Sequence, residues 1–436
     1  MEQREQSNAC INSAESRKNK SEAQMRHSGI EWIGEIPKEW KVARLKNLIQ
    51  CLDSKRIPME ASQRKKGTYP YWGAGSIMDY VDDFIFDEEL VLLGEDGAPF
   101  FDRKRNVAFY VNEKVWINNH IHVLRPLNGI NAHFLTHFLN IVDYKSYING
   151  SILNKLTQSN MNEICCLVLP ENEQQKIANY LDKVCGEVDE MIALQEQMIE
   201  ELKAYKQSVI TEAVTKGLNP NVPMKNSGID WIGEIPEGWK VKRLKEIFLL
   251  QTGTTPKDYA NGLDTDNLIN WFTPSDVSEM NCELNGSQRH LSKNVADGEG
   301  IKLYPKGSLI FVAIGASAGK IGYINIEGYS NQQITALIPQ NNCYSKYFYY
   351  YMLADRKRIR DNAFFTTLPI INNGYLSSVK ILLPPLSEQQ SIASYLDTKC
   401  AEIDALIAIK QAKIEELKDY KKSVIYEYVT GKKEVV

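Results

Sequence analysis

Residues 28–48, SGIEWIGEIPKEWKVARLKNL, return at residues 227–247 as SGIDWIGEIPEGWKVKRLKEI, with 15 of 21 positions identical. A second pair of segments repeats in the same way, since residues 170–215 and 385–430 share 27 of 46 positions. Each half of the chain therefore consists of a tryptophan-rich entry motif, a variable stretch and a long closing segment. A repeat of this length exceeds the period of a solenoid and indicates that a whole domain has been duplicated.

The two closing segments are predicted to be long helices that pair with each other. Apolar residues recur at steps of four and three, which is typical of a helix face that packs on a second helix. The predicted pairing residues are Ile177, Leu181, Val184, Val188, Leu202 and Val209 in the first helix, and Ile392, Leu396, Ile403, Leu406, Leu417 and Val424 in the second. Gln195 and Lys410 interrupt this pattern and are interpreted as setting the register. Two unpaired surface helices are the alternative.

Composition limits the classes of protein to consider. The chain has 436 residues, 43% hydrophobic and 24% charged, which is typical of a globular protein. Its net charge of −4 excludes a histone-like binder of bulk polyanion but allows a local basic surface. No apolar run is long enough for a membrane span, and residues 1–27 lack the apolar core of a signal peptide. We interpret them as a mobile tail. Eight scattered cysteines, without zinc-ligand spacing, favour the reducing cytoplasm.

The variable stretches, residues 49–169 and 248–383, differ in sequence but run in parallel. Each contains an apolar strand-like run, then a second strand with polar residues inside it, then an aromatic-rich helix. We predict two related mixed α/β units with different polar tips. The entry motifs are interpreted as packing staples that fix each unit on a helix, with the first strand expected at Arg44 and Arg243.

Amide side chains in the middle of these apolar strands are the first candidates for binding nucleic acid. Asparagine and glutamine can hydrogen-bond adenine through two atoms, while lysine and arginine contact guanine or phosphate. Short basic runs accompany the amides, although a solvated face is an alternative for each run. The candidates are Asn118, Asn119, His120, Asn331, Gln332 and Gln333, with the basic residues Arg64, Lys65, Lys66, Arg103, Lys104, Arg105 and Lys320.

Catalytic and metal-binding patterns do not fit. Residues 315–320, GASAGK, resemble a phosphate-binding loop but have one residue too few between the glycines, and Ile321 replaces the hydroxyl residue. His120 and His122 lie on one side of a predicted strand, as metal ligands do, but no carboxylate cluster stands near them in the sequence. His120 is interpreted as a contact to a base or phosphate, or as a structural histidine. We predict no catalytic residue and no metal site.

The arrangement resembles the specificity subunit of type I restriction-modification systems. The resemblance rests on the two Gly-Ile-Glu/Asp-Trp-Ile-Gly-Glu-Ile-Pro motifs and the Glu-Gln-Gln helix starts, and it covers the chain after residue 27. Residues 251–257, QTGTTPK, and 272–276, FTPSD, also look like the opening of a target-recognition domain. They add Thr254, Thr255, Lys257, Ser275 and Asp276 to the DNA-binding candidates. The first unit has CLDSKRIP at 51–58 instead, which resembles another subtype and implies two unlike half-sites.

The resemblance implies an α+β protein with two mixed α/β target-recognition domains. The domains would be joined by two long helices paired as an antiparallel coiled coil, with pseudo-two-fold internal symmetry. The expected order is tail 1–27, recognition domain 28–170, helix 171–217, linker 218–226, recognition domain 227–384 and helix 385–432. Each domain would read one half of an asymmetric, bipartite double-stranded DNA target, and the helices would set the gap.

The resemblance also implies partners. Two methyltransferase subunits that bind S-adenosylmethionine would dock on the helices, and motor-nuclease subunits would use ATP and magnesium. This chain would hold no cofactor and have no active site. Two alternatives remain: a stand-alone nuclease or methyltransferase with an unrecognised site, and a structural coiled-coil scaffold.

Overall fold

A computed structural model describes residues 25–148, 154–257, 268–278, 283–340, 343–362, 364–365 and 369–435. The chain divides into two compact units. The first contains Met1–Glu196 and Ala412–Val436, and the second contains Gln197–Gln411. Each unit therefore combines one globular portion with part of each of two long helices. Among the described residues, no helix has both the length and the apolar composition that crossing a bilayer requires.

The globular portion of the first unit is built mainly of short strands. The strands are β1 (Met25–His27), β2 (Glu35–Pro37), β3 (Lys41–Arg44), β4 (Ile49–Cys51), β5 (Lys66–Trp72), β6 (Ile77–Val81), β7 (Phe86–Asp87), β8 (Leu90–Gly94), β9 (Ala108–Val111), β10 (Lys114–Ile117), β11 (Ile121–Pro126) and β12 (Cys165–Val168). The helices are α1 (Ala132–Leu139), α2 (Gln158–Asn162) and the long α3 (Glu171–Lys216), which continues into the second unit. Two four-stranded sheets have the orders β6-β5-β10-β7 and β4-β11-β8-β9. The pairing of β10 with β5 is parallel, so the unit is mixed.

Strand β8 lies at the centre of the first unit and is buried on both faces. Leu90 and Leu92 pack in the core that includes residues of both four-stranded sheets. Val91 and Leu93 point the opposite way, into the core shared with α1 and the start of α3. Successive side chains of a strand alternate between faces, so an uninterrupted apolar run fits a strand covered on both sides.

The second unit repeats this plan. Its strands are β13 (Met224–Asn226), β14 (Glu234–Pro236), β15 (Lys240–Arg243), β16 (Phe248–Thr252), β17 (Leu268–Phe272), β18 (Glu283–Leu284), β19 (His290–Ser292), β20 (Leu309–Val312), β21 (Ile321–Ile324), β22 (Gly328–Ser330), β23 (Ile334–Pro339), β24 (Phe364–Phe365), β25 (Pro369–Ile370) and β26 (Lys380–Leu383). The helices are α4 (Lys293–Gly298), α5 (Ser345–Asp361), α6 (Asn373–Ser378) and the long α7 (Leu386–Val429), whose last part belongs to the first unit. Strand β20 alternates as β8 does: Leu309 and Phe311 face the core with α5, while Ile310 and Val312 face a second core.

The two long helices pair antiparallel within each unit. In the first unit, the hydroxyl groups of Tyr180 and Tyr428 lie 3.2 Å apart. Further along α3, the Asp189 carboxylate accepts from Lys421 Nζ at 2.7 Å, so α7 runs in the opposite direction. In the second unit, Lys206 Nζ donates to Asp404 Oδ1 at 2.7 Å.

The predicted pairing residues fall into three groups. Buried ones are Ile177, Leu181, Val188, Ile392, Leu396, Ile403 and Val424. Half-buried ones are Val184, Leu202, Val209 and Leu417. The prediction for Leu406 was wrong, because its side chain is 47% exposed while the next residue, Ile407, is 2% exposed. A straight helix has 3.6 residues per turn, so a strict seven-residue pattern drifts off the buried face. The next buried residue after Ile403 is therefore Ile407, four positions along, and not Leu406, three positions along.

The entry motifs bind the helix starts in the same way in both units. Trp40 Nε1 donates to Glu173 Oε2 at 3.1 Å, and Trp239 Nε1 donates to Glu388 Oε2 at 2.6 Å. Each indole ring is buried. These contacts confirm the interpretation of the motifs as packing staples. The first strand was expected at Arg44 and Arg243, but β3 and β15 end at those residues, and a 3-10 turn follows each.

Two predicted boundaries need correction. Residues 1–24 of the predicted tail lie outside the described residues, but Met25–His27 form β1 and pair antiparallel with β2. The predicted linker 218–226 likewise ends in β13, which pairs with β14. Both strands are three residues long and mostly polar, so they carry no hydrophobic alternation by which to predict them. Backbone hydrogen bonds to the entry motifs hold them instead.

Candidate nucleic-acid interface

The candidate amides were predicted in the middle of apolar strands, but they lie in two equivalent turns between strands. The first polar turn, residues 118–120, joins β10 to β11, and the second polar turn, residues 331–333, joins β22 to β23. The first residue of each turn donates its backbone N–H across the sheet at 3.1 Å, Asn118 to the Trp72 carbonyl and Asn331 to the Phe272 carbonyl.

The last residue of each turn accepts two backbone hydrogen bonds. His120 O accepts at 3.0 and 3.4 Å from the N–H groups of residues 95 and 96, and Gln333 O accepts at 2.7 and 3.3 Å from those of residues 313 and 314. The two turns therefore have the same backbone arrangement, although their sequences differ completely after the first asparagine.

Within each turn, only some side chains are available to a ligand. Asn118 is buried, and its Oδ1 accepts from the Asn119 N–H at 2.6 Å. Asn331 is also buried, and its Oδ1 accepts from the Gln333 N–H at 3.1 Å. Asn118 and Asn331 therefore shape the turns, and a direct contact of either residue with DNA remains a prediction. The exposed side chains are those of Asn119, His120 and Gln332, while Gln333 is half-buried.

A cluster of charged side chains packs beneath the first polar turn. His122, 1% exposed in its side chain, has its Nδ1 2.6 Å from Asp53 Oδ2. Arg56 Nη1 donates to Glu95 Oε2 at 2.6 Å. Burial raises the pKa of the Asp53 carboxyl, but the hydrogen bond and charge of His122 and the charge of Arg56 outweigh it, and the pKa lies below its ordinary value.

This cluster corrects one expectation. The sequence offered no carboxylate cluster near His122, yet the structure brings Asp53 and Glu95 to it, from segments far apart in the chain. Ligand atoms of the three residues lie within 4.8 Å of one another, which is the spacing of a metal site. The Arg56 guanidinium already supplies positive charge there, 2.6 Å from Glu95 and 3.5 Å from Asp53. The absence of a metal site remains a prediction.

The second polar turn is supported by uncharged groups from the end of β16. Gly253 N–H donates to Ile334 O and Thr254 N–H to Ser330 O, both at 2.9 Å. A Cβ at Gly253 would come within 2.2 Å of the Asn331 carbonyl oxygen, so only glycine allows this close approach. Thr255 Oγ1 donates to Gln332 Oε1. The structure thus brings together Thr254, Thr255 and Gln332, as exposed side chains on one surface.

The basic candidates of the first unit differ in how their charges are used. Lys65, Lys66, Arg103 and Arg105 are exposed. The Arg64 guanidinium lies 4.3 Å above the Tyr71 ring and donates to the Met59 carbonyl, so Arg64 supports the local fold. Its contact with DNA remains a prediction.

Lys104 is also engaged within the protein. Its Nζ lies 2.6 Å from Glu415 Oε2 and 3.5 Å from Asp419 Oδ2 of α7, and the Glu415 hydrogen bond raises the pKa of this lysine. With Arg103 and Arg105 it lines a cleft of about 960 Å³ between the β8–β9 loop and α7. Lys104 is therefore exposed, and its charge is paired with carboxylates of α7.

The remaining candidates of the second unit are also divided. Asp276 accepts from the Thr273 N–H at 2.7 Å and from the Gln288 N–H at 2.8 Å, while Ser275 Oγ lies 2.8 Å from Thr273 Oγ1. These two residues build a turn, and their contact with DNA remains a prediction. Lys257 is exposed and Lys320 half-buried.

Comparison with known proteins follows the same division of the chain. A family model described as the type I restriction modification DNA specificity domain matches twice, over residues 37–204 and 236–419. The type I restriction enzyme MjaVIII specificity subunit of Methanocaldococcus jannaschii is 26% identical over 424 residues, covering 91% of this chain and 93% of the relative. The type I restriction enzyme EcoDI specificity subunit of Escherichia coli is 23% identical over 394 residues, covering 86% and 84%.

The fold has a solved counterpart. A chain from work on complex assembly and conformational transition of the type I R-M system superposes with a TM-score of 0.65 at 17% identity. The match covers 90% of this chain and 98% of the solved one.

Two related domains that present one turn with different side chains define a protein with a duplicated recognition function. The chain belongs to the type I restriction-modification DNA specificity family, with one specificity domain in each half. The predicted resemblance, the mixed α/β repeat with paired helices, and the DNA-recognition role of a specificity subunit are confirmed.

Proposed function

We propose that this chain reads an asymmetric, two-part double-stranded DNA target, with one half-site for each globular unit. The observation that carries the proposal is the polar turn that recurs with the same backbone and different exposed groups. The first presents the Asn119 amide and the His120 ring, and the second presents the Gln332 amide beside Thr255. Because amides and imidazoles select among base edges, unlike side chains on one scaffold suit unlike half-sites.

The exposed basic residues are suited to bind the DNA backbone in this proposal. Phosphate contacts supply affinity and register without selecting sequence. Lys65, Lys66, Arg103 and Arg105 in the first unit, and Lys257 in the second, are exposed cations suited to that task. The proposal assigns sequence choice to the polar turns and affinity to these cations.

In the same proposal, methyltransferase subunits dock on the long helices. Large apolar side chains stand exposed on helix faces that do not pack in either core. They are Met191, Leu194 and Tyr420 in the first unit and Tyr205, Leu406 and Ile409 in the second. Exposed apolar patches of this kind favour a protein partner. Two methyltransferase copies with S-adenosylmethionine, and motor-nuclease subunits with ATP and magnesium, would supply the chemistry, with no catalytic residue in this chain.

The test combines purification and DNA selection. The full-length chain is isolated from its own cells with its partners and incubated with random double-stranded DNA, and the bound fragments are sequenced. We expect a methyltransferase to co-purify, and we expect a motif of two unlike parts separated by a fixed gap. Methyl transfer or cleavage by the chain alone would support the enzyme alternative. Binding with no sequence preference would support the scaffold alternative.

A further inference from the structure

Arg56 holds the middle of the first polar turn and the start of the strand that follows it. Its Nη1 donates to the Asn119 carbonyl at 3.2 Å and to the Ile121 carbonyl at 2.9 Å. Its Nε donates to the Asp53 carbonyl at 3.0 Å. One guanidinium therefore ties the turn and the first residue of β11 to the segment that follows β4.

The arginine is itself held by an acid that also contacts the turn. Glu95 Oε2 accepts from Arg56 Nη1 at 2.6 Å, and both side chains are only 14% exposed. The Glu95 backbone N–H donates to His120 O at 3.0 Å. Glu95 thus supports the turn directly through its backbone and indirectly through Arg56.

His122 completes the charged support from the strand that leaves the turn. Its Nδ1 faces Asp53 Oδ2, and its Nε2 lies 2.8 Å from the Leu156 carbonyl oxygen. Both partners are acceptors, so both ring nitrogens are satisfied only when both carry a proton. Asp53 Oδ1 also accepts from the Val123 N–H at 2.8 Å. Asp53 and Glu95 therefore lie beneath the turn among Arg56, His122 and Lys155, whose Nζ is 3.5 Å from Glu95 Oε1.

The second polar turn provides an internal comparison. Its supporting contacts come from the backbone of residues 253–254, the Thr255 hydroxyl and the amides of Asn331 and Gln333. Turns that share the same backbone hydrogen bonds to the sheet are thus held by a charged cluster in one unit and by neutral groups in the other.

We propose that Arg56 is a positioning residue for the first recognition domain: it fixes the turn that presents Asn119 and His120, without contacting DNA itself. Its Nε and Nη1 groups donate to protein acceptors, and its side chain is only 14% exposed. The consequence for DNA reading rests on the proposed function, whereas the positioning of the turn does not.

The positioning is tested by amide hydrogen exchange on the full-length chain with Arg56→Lys. Lysine keeps the charge but cannot reach Glu95 and both carbonyls from one planar group. We expect exchange in peptides covering residues 118–123 to accelerate about tenfold, while peptides covering 331–336 stay unchanged. Arg125→Lys is the matched control, because Arg125 lies in the same domain and pairs with Glu88 away from the turn.

Unchanged exchange at the first turn in Arg56→Lys would overturn the proposal, as would an equal acceleration in Arg125→Lys. If Arg56→Lys fails to fold, Glu95→Gln replaces it, because glutamine keeps an acceptor for the guanidinium and removes the charge. The same local acceleration is expected, to a smaller degree, and its absence would again count against the proposal.

The effect of Arg56→Lys on DNA sequence recognition is measured by the selection from random double-stranded DNA. The half-site that changes with Gln332→Ala is assigned to the second domain. We expect Arg56→Lys to weaken base preference about tenfold in the other half-site only, without changing the gap. Equal loss in both halves, or in neither, would refute a positioning role in recognition. A wild-type chain that selects no motif would refute the proposed function, and the exchange result would still decide whether Arg56 holds the turn.

Discussion

Asp182 and Asp397 hold the same position in the two copies of the long helix, and each carboxylate fastens the neighbouring short helix. Asp182 lies 2.7 Å from His133 Nδ1 and 2.8 Å from His137 Nε2, both on α1. Asp397 is bound at 2.7 Å by Lys346 Nζ and at 2.7 Å by the Tyr350 hydroxyl, both on α5. The duplication has kept the acid and exchanged both of its partners.

Removing the Asp182 charge is expected to loosen α1 from α3. Burial raises the pKa of this carboxyl, but the two histidines outweigh that effect and lower it. We expect Asp182→Asn to reduce the free energy of unfolding by about 1 kcal/mol, because the group is partly exposed. Urea denaturation at neutral pH measures the change. Glu190→Gln, on an exposed position of the same helix, should stay within about 0.5 kcal/mol.

Exchanging the partners of Asp182 tests whether the carboxylate contacts of Asp182 and Asp397 are equivalent. His133→Lys with His137→Tyr transfers the second unit's partners into the first, and stability should stay near that of the wild type. A loss as large as that of Asp182→Asn would show that the histidines have a role of their own.

Acid should weaken the support of the first polar turn. The pKa of Asp53 in the folded chain lies below the ordinary 3.8, so its stabilisation is present above that value. The stabilisation is lost as the pH falls through the lowered folded pKa. We expect Asp53→Asn to be about 2 kcal/mol less stable at neutral pH and less sensitive to acid. Unfolding free energies between about pH 2 and 7 test this, and parallel wild-type and variant curves would contradict it.

Gln332 should select bases, whereas its neighbour Asn331 should not. Gln332→Ala removes an exposed amide and is expected to lower discrimination in one half-site by about tenfold, with thermal stability unchanged. Asn331→Ala removes a buried amide that shapes the turn, so stability should fall along with binding. DNA selection and thermal unfolding separate the two outcomes. A loss of binding to every sequence in Gln332→Ala would indicate a phosphate contact instead.

Gly253 should tolerate no side chain. A Cβ there meets the carbonyl oxygen of Asn331 and the Ser330 hydroxyl, each at 2.2 Å. We expect Gly253→Ala to destabilise the second unit by about 2 kcal/mol, because backbone must move to relieve the overlap. Gly238→Ala is the control, since its added Cβ meets no atom within 4 Å. Denaturation midpoints that agree for the two variants would show that the β16 end adjusts freely.

Two nearby isoleucines of α7 separate partner binding from helix packing. Ile409 is 62% exposed and Ile407 is 2% exposed. Ile409→Ser should reduce methyltransferase co-purification and leave unfolding unchanged. Ile407→Ala should cost about 2–4 kcal/mol of stability, because it opens a cavity in the packed face. Undiminished co-purification with Ile409→Ser would place the partner on another surface.

The sequence predicted the features that depend on regular spacing. The duplicated motifs gave the repeat, and the apolar periodicity gave α3 and α7. Alignment of Asn118 with Asn331 identified equivalent positions in the two halves, although it placed them inside strands and not in turns. The pattern erred at Leu406, where a seven-residue repeat and a 3.6-residue helix diverge. Strands β1 and β13 gave no hydrophobic signal because they are short and mostly polar and pair with β2 and β14 through the backbone.

The support of the first turn could not be predicted because tertiary folding assembles it. Asp53, Glu95 and His122 come from different strands and loops, and no local spacing relates them. The sequence also could not show which basic side chains are engaged by other groups of the protein. Arg64 and Lys104 belong to basic runs that resemble solvent-facing groups, yet an aromatic ring and two helix carboxylates engage them.

The first unit is completed by residues at the far end of the chain. Val424, Ile425 and Val429 of α7 lie in its core, and the Tyr426 hydroxyl donates to the Trp32 carbonyl at 3.2 Å. The second unit needs only residues 197–411, one continuous stretch. On the ribosome, the half that emerges first must therefore wait with part of its core uncovered until Val429 has been synthesised. The half that emerges second has all of its own residues before then.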